Sequence, residues 1–168
     1  MTTFLPYWRT MKKVTREPTR AEIFLDVFEH WRKKYKLKPI ETRKDLRYHC
    51  HACLSVWLIS DEHHKKGYTE LVYNPRRLAK WCHSFLINGA LHEIGHYVHN
   101  LDYNTWAEQV YSEYKAESFA LRVMKRCYTV EYKDCVNKVK NKLMKNKRWV
   151  KKNPLYYQAF LKIKEYND

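Results

Sequence analysis

Glycine and proline are scarce, at three and five in 168 residues. That scarcity argues against an all-β fold, which needs turn residues at short intervals. Long apolar runs are also missing. None approaches the ~18 residues that a membrane-spanning helix requires. The opening stretch MTTFLPYWRTMKKVTR has no apolar core followed by small residues, as a secretion signal would. The expectation is a soluble, cytoplasmic protein with no membrane partner. Cysteines are few and odd in number: Cys50, Cys53, Cys82, Cys127 and Cys135. Such a set excludes a disulfide scaffold and suits free thiols in a reducing compartment. Acidic residues are in deficit, with 18 Asp and Glu against 33 Lys and Arg, a net charge of +15. This imbalance points either to an anionic partner, nucleic acid foremost, or to general surface solubility.

What is present is enough for a core. Apolar residues make up 45% and aromatics 15% of the chain, and the length suits a single domain over 1–168. Thr19 and Glu22 have capping-box spacing, and Ile23, Phe24, Val27, Phe28 and Trp31 follow at helical intervals, which predicts a helix over about 20–36. KLKPIET reads as a break. ACLSVWLIS (52–60) and YTELVYN (68–74) are two β-like runs around a polar loop with Gly67, the signature of a hairpin. NPRR then opens a helix near Pro75 that runs on through the nineties, with Gly89 as a point where it kinks or divides. Further helices are expected from Asn104 or Thr105 to about Cys127, from Thr129 through KVKNKLMKNK, and from Pro154 onward. The order is helix, hairpin, long helix, helix, basic helices. It predicts an α+β fold with a small antiparallel sheet packed on helices.

The chemistry centres on LHEIGHYVHN, residues 91–100. His92 and His96 lie one helical turn apart and so share a face, a spacing that suits two imidazole ligands of one zinc ion. Glu93 stands beside them in the place of a general base that acts on water without ligating. The third ligand follows by elimination, because no histidine occurs beyond His99. His99 itself sits ~10 Å along the helix from His92. Asp102 matches a spacing used when the helix ends in a sharp turn, but that turn needs a glycine where this chain has His99. Glu113 and Glu117, one turn apart on the next helix beside Ala116 and Ala120, are the stronger candidates, with Asp102 as a lesser one. One glutamate would ligate, and the other would accept the free N–H of a ligand histidine.

HEIGH followed by EYKAESFA resembles the gluzincin metallopeptidases, most closely the compact ImmA/IrrE-like proteins and the minigluzincins. The likeness spans about 52–126 and implies a zincin-like domain with its core at about 20–127. It also implies one Zn2+ held by His92, His96 and Glu113, with Glu117 behind them and a protein or peptide substrate bound in extended form on the hairpin's edge strand. It implies peptide-bond hydrolysis by a zinc-activated water with Glu93 as the base. A tyrosine or histidine usually assists at the oxyanion, with His99, Tyr97, Tyr103 and Tyr111 as candidates. Two departures stand out: Glu117 where Asn or Asp is usual, and RVMKRC as the helix ending. Relatives of this type act on DNA-bound repressors, and many are encoded by mobile elements, so a viral or mobile origin fits.

The remaining features read more plainly. Cys50 and Cys53 are half of a second zinc site at most, and EHHKK is a solvated loop tip. From Val136 to Asp168 there are nine Lys and one Arg against Glu165 and Asp168, so 10 − 2 = +8. With Trp149, Tyr156, Tyr157 and Phe160 interleaved, this extension (about 128–168) is a solvated basic face over a buried aromatic side, with nucleic acid as its possible partner. Two functions from other classes therefore stand beside the peptidase. One is a DNA-binding regulator with a structural or sensory zinc, and the other a latent or self-processing protease.

Overall fold

The computed structural model describes residues 16–48, 52–57, 67–101 and 104–167. Helix α1 spans Arg20–Lys34, and its start follows from Thr19, whose side chain and backbone exchange hydrogen bonds with Glu22. Phe24, Phe28 and Trp31, spaced by four and three residues, turn inward and are almost fully buried.

Three strands form one sheet in the order β1-β3-β2: β1 (Glu41–Lys44), β2 (Ala52–Trp57) and β3 (Gly67–Tyr73). β2 pairs antiparallel with β3, with a register shift at Ser55/Val56. β1 pairs parallel with β3, Glu41 opposite Glu70 and Lys44 opposite Tyr73. The sheet is therefore mixed, which corrects the expectation of a purely antiparallel one. β1 replaces part of the predicted break. Its four residues are all exposed and carry no alternation, so no pattern marked them as a strand. Backbone pairing and the Arg43–Glu70 ion pair (2.9 Å) hold it in place. Central β3 buries Leu71 and Val72, adjacent residues that point to opposite faces, so both faces are covered there.

Short helix α2 (Pro75–Leu78) is capped by Asn74, whose amide also donates to the carbonyls of Leu46 and Tyr48. The chain then breaks at 79–82, and α3 (His83–His99) runs uninterrupted through Gly89. The predicted division at Gly89 thus falls one segment earlier. Gly89 is needed for a different reason, since a Cβ there would collide with the ring of Trp81.

Helix α4 (Trp106–Cys127) opens on a second capping box, Thr105 with Glu108. α5 (Thr129–Lys138) continues into a π-helical turn at Val139–Leu143, followed by α6 (Lys147–Lys152), α7 (Pro154–Phe160) and α8 (Lys164–Asn167). The core is built on α3 and α4, with α1 against α3 and α7 against α4. Cys135, Val139, Ala159, Phe160, Ile163 and Tyr166 join the same core, so the basic segment buries an apolar face and leaves its lysines outside. No described helix is long and apolar enough to cross a membrane.

One contact sets the distance between α3 and α4. A Cβ placed on Gly95 would lie 2.7 Å from both the Cα and the carbonyl oxygen of Ala116. The two backbones touch here, and backbone cannot rotate away as a side chain can. Gly95→Ala is expected to destabilise the fold by ~1–3 kcal/mol through overpacking, which thermal melting of the variant beside the unsubstituted protein measures.

Candidate metal centre

The Gly95–Ala116 contact lies between the functional residues of the two helices. His92 and His96 on α3 meet Ser112, Glu113 and Glu117 on α4, and all five are buried. His92 Nε2 is 2.9 Å from Glu113 Oε2, His96 Nε2 is 3.1 Å from His92 Nε2, and His96 Nε2 is 3.5 Å from Glu113 Oε2. Among the described residues these three form the group of metal-binding side chains close enough to share one ion. The triangle can be compared with zinc geometry. Ligands ~2.0–2.1 Å from a tetrahedral zinc stand ~3.3–3.4 Å from one another. The observed edges bracket that value, so the donor set fits the metal in spacing as well as in chemistry.

The surrounding hydrogen bonds orient the donors. His92 Nδ1 lies 2.9 Å from Glu117 Oε2. An ionised carboxylate only accepts, so Nδ1 carries a proton and Nε2 is left to face the centre. His96 Nδ1 lies 3.2 Å from Ser112 Oγ. Glu117 Oε1 in turn accepts from Asn88 Nδ2 (3.1 Å) and from the Tyr166 hydroxyl. Glu117, only 2% exposed, is thus engaged by His92 and two further donors. This arrangement distinguishes the two carboxylates: Glu113 faces the ion position and Glu117 stands behind His92.

A positive charge belongs at the centre of this cluster. Burial works against an imidazolium at His92, yet Glu113 and Glu117 together hold its pKa well above the ordinary 6.5. Burial likewise opposes charge on Glu113, but His96 and His92 keep its carboxyl well below the usual carboxylate range. A proton or a metal ion can supply the charge, and the two compete. The signs follow for the metal-free protein. A raised His92 pKa contributes stability that is complete below 6.5 and lost as pH climbs through the higher folded value. Zinc needs the neutral ring, so its contribution grows over that same window. The melting-temperature gain on adding zinc is expected to increase as pH rises above 6.5, which parallel melts with and without zinc would show.

Tyr166 and Asn88 were not identified from spacing. Asn88 had a readable signal, because 88, 92 and 96 follow at intervals of four and share a helix face. Tyr166 had none, since it reaches Glu117 across 49 residues of chain. Burial and the neighbouring Glu117 push the Tyr166 phenol well above its ordinary pKa, so it stays a donor. Tyr166→Phe keeps the ring and removes the donor. Zinc affinity is expected to fall ~10-fold or more, within the range typical of groups that orient metal ligands, as measured by competition with a chromophoric chelator.

The other candidates are dispersed. Tyr97 donates its hydroxyl to the Lys38 carbonyl (3.0 Å). His99 lies outside the metal group, with its ring edge-on to Phe119 and its buried Nε2 without a partner. Tyr111 is half exposed and packs on Tyr114. Among the described residues, the ring of Tyr156 on α7 lies 6.2 Å from the His92 ring. Asp102, Tyr103, Cys50 and the EHHKK loop lie outside the described residues, while Cys53 sits in β2 opposite Val72. Compared with protein-family models, curated proteins and solved structures, the chain matches none of them.

Proposed function

We propose that this protein is a zinc-dependent metallopeptidase with a zincin-like, gluzincin-type arrangement. The observation that supports it most is the buried triangle of His92, His96 and Glu113, with Glu93 on the same helix between the two histidines. A zinc ion held there supplies Lewis acidity and makes water acidic enough to ionise near neutral pH. The chain's own residues do the rest. Glu93 is half-buried where its neighbours are buried, so it stands toward the more open side of α3. From there it takes a proton from the attacking water and returns it to the departing amine. Glu117, Asn88 and Tyr166 hold the His92 ring in place, and Ser112 meets His96. β2 is an outer strand of the described sheet and contacts α3. An extended peptide added beside β2 would run along the metal-bearing helix.

Incubation of the zinc-loaded chain with an unfolded protein substrate tests this. Cleavage that stops with chelator and returns with zinc is the expected result. Stoichiometric zinc binding without hydrolysis of any such substrate would leave a structural or sensory zinc, the regulator reading, in its place.

A further inference from the structure

Helix α4 has a second working face. Next to the face that carries Glu113 and Glu117, a groove of about 530 Å3 opens between α4 and the segment 162–165. Its walls carry Lys115, Arg122, Lys125, Arg126, Lys162 and Lys164, against Glu165 as their acid. Elsewhere cations find carboxylates, as in Arg32–Glu29, Arg43–Glu70 and Lys138–Asp134. Among the described residues, Lys115, Arg122, Lys125, Arg126 and Lys162 form no ion pair. Like charges gathered around a concavity repel one another, and only an anionic ligand would offset that.

The shape narrows the ligand. The volume lies within the ~300–1,000 Å3 usual for ligand cavities. Duplex DNA is stiff and convex and would reach only the rim. A single strand is flexible enough to lie inside. The groove also offers the ring of Tyr114 as a stacking surface and the Ser118 hydroxyl as a phosphate donor. We propose that this groove binds single-stranded nucleic acid, with its phosphates on the α4 and 162–164 cations and a base against Tyr114. The site is separate from the metal centre and does not depend on peptidase activity.

The test is fluorescence anisotropy of a short labelled oligothymidylate with the full chain. One variant combines Lys125→Gln, Arg126→Gln and Lys162→Gln, all exposed residues whose neutralisation relieves repulsion and so spares the fold. A control combines Lys147→Gln, Lys151→Gln and Lys152→Gln, exposed lysines of α6 with the same charge change. The groove variant is expected to bind at least ~10-fold more weakly and to lower the salt slope by about 2, three contacts at ~0.7 each. The α6 variant should remain close to the unsubstituted protein. Equal loss in both variants would show diffuse charge and overturn the proposal, as would no loss in the groove variant. Duplex bound as tightly as single strand would overturn it too. So would displacement by inorganic tripolyphosphate at equal phosphate concentration, which would mark a site for compact polyphosphates.

Discussion

Glu113→Gln is expected to lower zinc affinity about a thousandfold. Structural zinc sites are worth on the order of 10–16 kcal/mol in total, so one of three protein ligands carries ~4 kcal/mol, about three factors of ten. Glutamine keeps the length and a carbonyl oxygen but loses the charge that partners the ion. Glu117→Gln is the informative comparison. Glu117 touches His92 Nδ1 and not the centre, so its loss should cost only ~10–100-fold, through ring orientation. Competition titrations of the two variants rank the carboxylates directly. A larger loss at Glu117 would reverse their roles and require α4 to slide along its axis by about one helical turn, ~6 Å, relative to α3.

Glu93→Gln is expected to leave zinc binding intact and to reduce hydrolysis by ~10²–10⁴, the usual worth of a positioned acid–base group. Glu93 does not belong to the three-donor group, so neutralising it leaves the ion position unchanged. The loss should fall on kcat with KM little altered, because the proton transfer matters in the transition state and not in substrate binding. A variant that holds zinc and cleaves at the unsubstituted rate would remove Glu93 from the mechanism. The two variants therefore separate failure of the site from failure of the chemistry.

Local signals in the sequence were legible where a short segment determines its own structure. The Thr19–Glu22 capping box is of this kind, as is the inward stripe Phe24–Phe28–Trp31, and so is the shared face of His92 and His96. Glu113 was reachable by a longer route, because a buried carboxylate beside small residues needs a partner. What escaped was set by distant chain segments. β1 is made by pairing with β3 and has no pattern of its own. The break before α3 includes Trp81, whose ring packs over Gly89. Nothing local marks Gly95, yet its missing side chain sets the separation of the two helices. Tyr166 reads as one more core aromatic until Glu117 is placed beside it.

That last contact gives the protein a timetable. All three donors exist once residue 113 has been made, and Asn88 and Glu117 are in hand four residues later. Tyr166 comes 53 residues after Glu113 (166 − 113), ~3–10 s at ordinary rates of synthesis. During that interval a growing chain can capture an ion while Glu117 still lacks one of its two fixed donors. An ion captured in that interval would be held before the His92 ring reaches its final alignment, which waits on the docking of α8.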